Sequence, residues 1–219
     1  METNLDAIIA ETAGAEPLRR RRVRETLRSV YHVGDFIVKE FDIPAAKHFY
    51  RRPWGTEAAA LRRMGDDYPG ALMGVAERFQ GDTHNVFLVK RFIEGDVLDA
   101  IDAAGAHDVA RTLAGIHSKG IIMDDAHADN FLRAKSGEMY CIDFGRAVVF
   151  DLAPAPAFAV GKELAKLYRE GLGYDKDLFR VFLREYCDET RVSVPRRLAI
   201  ALGVRSAVFF RNLRKGRGK

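Results

Sequence analysis

Apolar residues at 36–38 and 41 flank Lys39 and Glu40 in a stretch, Phe-Ile-Val-Lys-Glu-Phe, that is rich in strand formers. Residues 26–33 have the same β-type content, and Gly34-Asp35 between the two is a tight-turn signal, so the pattern predicts a hairpin whose second strand carries Lys39. Strong helix formers fill 56–64 behind the breaker Pro53-Trp54-Gly55. Residues 72–79 and 85–92 read as two more strands, completing a small antiparallel sheet. Downstream the period becomes helical. Residues 108–119 place Val109, Leu113 and Ile116 on one face, 161–170 place Leu164, Leu167 and Tyr168, and 177–187 place Leu178, Val181, Phe182 and Tyr186. Residues 195–213 open on a proline suited to a first helical turn and carry Leu198, Leu202 and Phe209. These stripes read as core.

Two short apolar runs, 120–123 and 139–142, flank a turn signal at 135–138 and read as a small hairpin with loop carboxylates at its mouth. Strands first and helices afterwards make an α+β chain. Its expected division is a leader with a basic cluster at 1–22, an N-lobe of β-sheet plus one helix at 23–93, and a helical C-lobe at 94–219 with a basic tail. Residues 1–16 read as loosely ordered or short helical, with no function attached.

Composition narrows the class. At 219 residues the chain is long enough to bury a sizeable core, and 47% hydrophobic with 30% charged residues is the balance of a soluble globular protein. Cys141 and Cys187 lack metal-type spacing and read as reduced thiols of a cytosolic protein. Acidic residues at Glu2, Asp6, Glu11 and Glu16 do not fit a secretory signal, and the low-charge run 152–161 is too short to span a bilayer and holds Pro154 and Pro156. The expectation is a cytoplasmic protein, soluble or at most peripheral on a membrane.

The net charge of +4 is unevenly spread. Arg19 to Arg22 with Arg24 and Arg28 form one cluster, and a tail holds Arg205, Arg211, Arg214, Lys215, Arg217 and Lys219, with no acid from Arg205 onward. Such clusters suit anionic lipid head groups, nucleic acid or a phosphorylated substrate, or simply a solvated end.

The chemistry-bearing residues lie in 120–147. Asp125 is followed five residues later by Asn130 and thirteen beyond that by Asp143-Phe144-Gly145. Phosphoryl transfer needs an acceptor hydroxyl held in line with a phosphate, and cations to neutralise the phosphate charge. A catalytic-loop Asp that takes the hydroxyl proton, with an Asn and the Asp of D-F-G as oxygen ligands for Mg²⁺, meets that need. Lys39 on its strand and Glu57 on the following helix fit the pair that anchors nucleotide phosphates. Residues 90–95 read as the connector between lobes, and His117 as a packing or capping residue. There is no internal repeat, zinc pattern or Ser/His/Asp arrangement.

These residues resemble the protein-kinase-like superfamily, and within it the lipopolysaccharide kinase (Kdo/WaaP) family, nearest the core heptose kinases. VYHVGDFIVKEF, HFYRRPWGTEAAALRRM, KELAKLYRE and FLREYC carry the narrower resemblance, which covers residues 30–187. It implies a two-lobed kinase-like fold, with Lys39, Glu57, His127, Asn130 and Asp143 at the ATP site. Asn130 and Asp143 would hold Mg²⁺, and Asp125 would be the catalytic base. His127, two after that Asp, is similar to the histidine of small-molecule phosphotransferases. The implied acceptor is a heptose or Kdo hydroxyl of the lipopolysaccharide core, or another small molecule. A possible anionic membrane surface is expected too, with neither nucleic acid nor an obligate protein partner. Two alternatives stand beside it: a small atypical Ser/Thr protein kinase or ATPase of a tRNA-modification complex, and a nucleotide-binding scaffold without transfer. The chain departs from the pattern in lacking a glycine-rich loop before Lys39 and an A-P-E motif after Gly145. Met123 and Asp124 stand where His and Gly or Arg are usual.

Overall fold

The computed structural model describes residues 4–23, 26–44 and 53–216. Of the segment HFYRRPWGTEAAALRRM, residues 48–52 lie outside that set. The chain divides into two compact units, Met1–Ile93 and Glu94–Lys219.

The amino-terminal unit holds α1 (Leu5–Glu11), β1 (Arg19–Val23), β2 (Thr26–Val33), β3 (Phe36–Pro44), α2 (Pro53–Met64), β4 (Leu72–Gln80) and β5 (Thr83–Arg91). The strands form one antiparallel sheet in the order β1-β2-β3-β5-β4. Successive side chains on a strand point to opposite faces, and each face of β3 is claimed by a different helix. Val38 joins Val33, Phe87 and Val89 in a cluster with Ile8 and Ile9 of α1. Phe41 turns to the other face, where its ring lies 5.9 Å from that of Trp54 on α2.

The segment expected as a leader is therefore built into the unit. Asn4 caps α1 by accepting the N–H groups of Asp6 and Ala7, and Leu5 sits so close to Gly74 that a Cβ there would lie 2.4 Å from its Cδ1. A short helix is one of the two forms the sequence allowed here; its packing onto the sheet was not foreseen, because one buried turn gives too short an apolar period to mark a core element. Arg19 to Arg22 are the exposed residues of β1 at the sheet edge, where charge discourages pairing with a further strand.

The carboxy-terminal unit holds β6 (Gly95–Val97), α3 (Ala103–Ser118), β7 (Ile121–Ile122), β8 (Phe131–Ala134), β9 (Met139–Cys141), β10 (Val148–Val149), α4 (Ala157–Lys166), a π-helical turn (Leu167–Gly171), α5 (Lys176–Thr190) and α6 (Val194–Gly216). Asp102 caps α3, accepting the Gly105 N–H at 2.7 Å. The expected hairpin has different arms. The turn at 135–138 joins β8 to β9, whereas β7 pairs with β10. Phe131 and Leu132 are buried, a strand signal masked by its brevity and by the loop residues just before it.

Helix α6 also differs from expectation. A Cβ at Gly161 of α4 would lie 2.2 Å from the Ile200 carbonyl oxygen, and one at Gly203 would lie 2.5 Å from the Phe158 oxygen. The two backbones thus meet directly, with Ile200 and Gly203 turned inward. Leu198 and Leu202, expected as core, are 62% and 60% exposed. The glycines permit a closer approach than leucines would, and that decides the helix's rotation. The side chain of Phe209 lies outside the described residues.

Candidate active site

In the amino-terminal unit Lys39 and Glu57 meet as the sequence predicts. Lys39 lies two positions from Phe41, so it points to the α2 side of β3, and its Nζ donates to both Glu57 oxygens at 2.8 and 2.9 Å. Glu57 is 1% exposed. A second cation, Lys90 on β5, lies 3.5 Å from Glu57 Oε1 and is itself buried. The sequence reading had placed Lys90 in a connector. It lies two and four residues from buried Leu88 and Val86, on the same face of β5, and that spacing is the signal that it faces α2. Lys39 and Lys90 thus share the Glu57 carboxylate on this face.

In the carboxy-terminal unit the loop from Met123 to Asn130 is fixed from below by a buried chain of hydrogen bonds. Tyr186 of α5 meets His117 Nδ1 at 2.8 Å, His117 Nε2 meets Glu163 Oε2 at 2.6 Å, and Glu163 Oε1 accepts the Asp124 N–H at 2.9 Å. Burial pushes the Tyr186 phenol far up. It keeps its proton, and when it donates to Nδ1 of a neutral imidazole the Nε2–H is left for Glu163. His117 is therefore a positioning residue, and Glu163 ties three helices to the loop. Asp124 has φ of 52°, in the left-handed region, which a non-glycine residue adopts at a cost of about 1 kcal/mol or more. The Glu163 bond holds that backbone in place. The unusual Met123-Asp124 pair is thus supported, with Met123 fully buried.

Asp125 is surrounded by nitrogen groups of Lys166, His127 and Arg146. Its Oδ1 lies 3.3 Å from Lys166 Nζ, 3.3 Å from His127 Nε2 and 3.7 Å from Arg146. Lys166 also donates to the Asp124 carbonyl at 2.5 Å. Glu170 stands behind, 3.4 Å from His127 Nε2. Burial alone would raise the Glu170 carboxyl, but the bond from Arg169, with the charges of Arg169, Lys166 and His127, holds it below the ordinary range.

Asn130 Nδ2 donates to the Asp125 carbonyl at 2.6 Å, and its own carbonyl accepts the Ile142 N–H at 2.9 Å, linking the loop to the residue before Asp143. Asp143 Oδ1 accepts the Gly145 N–H at 2.9 Å.

The donor set fits Mg²⁺. With its NH₂ committed to Asp125, Asn130 keeps Oδ1 for a cation, and Asp143 supplies carboxylate oxygen. Among the described residues no three Asp, Glu, His or Cys side chains form a cage. Two hard oxygen donors suit an ion that takes its other ligands from phosphate and water.

Sequence reasoning missed Glu163, Lys166 and Glu170. In KELAKLYRE they fall three and four apart, on one helical face, and charged residues beside a buried leucine stripe were the available signal. Arg146 follows the D-F-G tripeptide directly and carried no signal of its own.

No protein-family model matches this chain, and no curated protein matches it. A solved structure of WaaP in complex with acyl carrier protein is similar over 92% of this chain and 91% of that one, at 21% identity and a TM-score of 0.60. The mixed α and β chain, with its five-stranded antiparallel sheet and helical unit, has a WaaP-like, kinase-like fold.

Proposed function

We propose that the protein is an ATP- and Mg²⁺-dependent phosphotransferase acting on a sugar hydroxyl, heptose or Kdo, of the lipopolysaccharide core. The observation that carries this reading is Asp125 itself, a carboxylate on a loop pinned by Glu163, with Lys166 and His127 each 3.3 Å from one oxygen. Asp125 orients the acceptor hydroxyl and accepts its proton. Lys166 and His127 keep the carboxylate in a single orientation, and Lys166 offers positive charge where negative charge collects on the transferred group. Lys39, oriented by Glu57 and backed by Lys90, binds nucleotide phosphate oxygens. Asn130 and Asp143 hold Mg²⁺, which, when bound, shields phosphate charge and orients the phosphates.

Histidine at 127 favours a small-molecule acceptor over a protein, and the WaaP-like fold supports the sugar. Acyl carrier protein enters as a candidate partner because the WaaP structure contains it; co-elution in gel filtration tests that. The reading itself is tested with radiolabelled ATP offered to lipopolysaccharide core lacking phosphate and, in parallel, to a generic protein acceptor. Label in the core, lost in Asp125→Ala and Asp143→Ala, is the expected result. Label in protein alone favours the atypical protein kinase, and bound ATP with no transfer favours a scaffold.

A further inference from the structure

Over residues 194–208, helix α6 buries a face that holds Ile200 and Gly203 and shows water a more apolar one. Val194 is 71% exposed, Leu198 62%, Leu202 60% and Val208 41%. At about 100° per residue these positions fall in one outward stripe with Arg197 and Arg205 among them, all exposed. Single exposed leucines are ordinary, but a contiguous apolar row rimmed by cations marks an interaction surface. Residues 194–219 contain eight Lys and Arg and no acid.

Charge and chemistry together select the occupant. A second copy would bring one acid-free helix against another, like charge against like. A nucleic-acid backbone would use the arginines but not the row of leucine and valine. An anionic bilayer uses both, with head-group phosphates for the cations and the acyl boundary for the apolar side chains. Among the described residues no helix is long and apolar enough to cross a membrane, so α6 would lie along the surface.

We propose that α6 is a docking helix for an anionic phospholipid surface, with Val194, Leu198, Leu202 and Val208 entering the acyl boundary and Arg197 and Arg205 meeting lipid phosphate. This goes beyond the phosphotransferase reading and stands without it, since it uses none of the residues around Asp125.

The test is co-sedimentation of the full chain with vesicles of phosphatidylcholine containing phosphatidylglycerol, and with vesicles of phosphatidylcholine alone. Wild type binds the first and not the second. Leu198→Ser/Leu202→Ser, at exposed positions that leave the circular dichroism spectrum unchanged, binds the anionic vesicles about 100-fold less tightly, or roughly tenfold per leucine. Arg197→Gln/Arg205→Gln loses the preference for anionic vesicles, and Asp125→Ala binds as wild type does. The proposal is overturned if wild type ignores anionic vesicles, or if the leucine variant binds as tightly as wild type, leaving only charge at work. It is also overturned if light scattering shows a wild-type dimer that the leucine variant converts to monomer, because a second copy then covers the face.

Discussion

Removing Glu163 should unfasten the loop that carries Asp125, and two substitutions at that position separate its jobs. In Glu163→Ala the part-buried Asp124 N–H loses its carboxylate acceptor, about 1–3 kcal/mol, and His117 loses its bond to a carboxylate, about 1.5–3 kcal/mol. The sum, roughly 3–6 kcal/mol, is a large part of the ~5–15 kcal/mol that holds a domain folded. In Glu163→Gln the remaining amide oxygen still accepts from Asp124. The amide NH₂ can donate to His117 Nε2 if the imidazole moves its proton to Nδ1 and Tyr186 becomes the acceptor. Only the charge assistance is lost, about 0.5–1.5 kcal/mol. At roughly 2–4 °C per kcal/mol for a chain of this size, the midpoint should fall by about 6–24 °C for Ala and by a few degrees for Gln. Far-UV circular dichroism is the right probe, because the helical signal comes largely from α3, α4, α5 and α6 while Trp54 sits in the other unit. Measured below both midpoints, phosphoryl transfer should stay near wild type in Gln and drop at least about tenfold in Ala. Equal midpoints and equal rates for the two variants would refute the bridging role of Glu163.

Three further outcomes follow from the same geometry. Lys166→Ala should lower the transfer rate by about 100-fold without changing the fold, with Lys166→Arg intermediate; an unchanged rate removes Lys166 from the site. Gly161→Ala should cost about 1–3 kcal/mol in thermal denaturation, because its Cβ would meet the Ile200 oxygen at 2.2 Å and α6 would have to move away. The His107 hydrogen bond, then that of Arg111, holds the Glu185 carboxyl below its ordinary range. Its contribution is complete above the unfolded value, about 4.3, and is lost as pH falls through the lower folded value. Glu185→Gln should therefore lower stability at neutral pH and flatten the acid limb of midpoint against pH, and an identical limb would contradict this.

Much of the candidate site was legible because its residues repeat at fixed spacings along the chain. Lys39 declared its face by lying next to Val38 and two positions from Phe41, opposite the first and beside the second, and Asp125, Asn130 and Asp143 lie within one short stretch. What stayed hidden depends on tertiary approach. Glu163 and Lys166 act only because α4 passes beneath the loop, and in sequence they look like the polar side of an ordinary helix. Lys90 looks like the end of a strand until the register with β3 brings it toward α2. The reversal of α6 has the same origin. Its leucine period reads as core, but Gly161 and Gly203 let two backbones meet, and the face with less apolar surface is the one buried.

The most direct test of the central claim is mass spectrometry of lipopolysaccharide core from a kinase-deficient strain after incubation with the protein and Mg-ATP, beside Asp125→Ala. A phosphate added to the core by wild type and absent with the variant, while both bind ATP alike, is the predicted result. Core left unmodified by wild type that still binds ATP, or modified equally by Asp125→Ala, would contradict it.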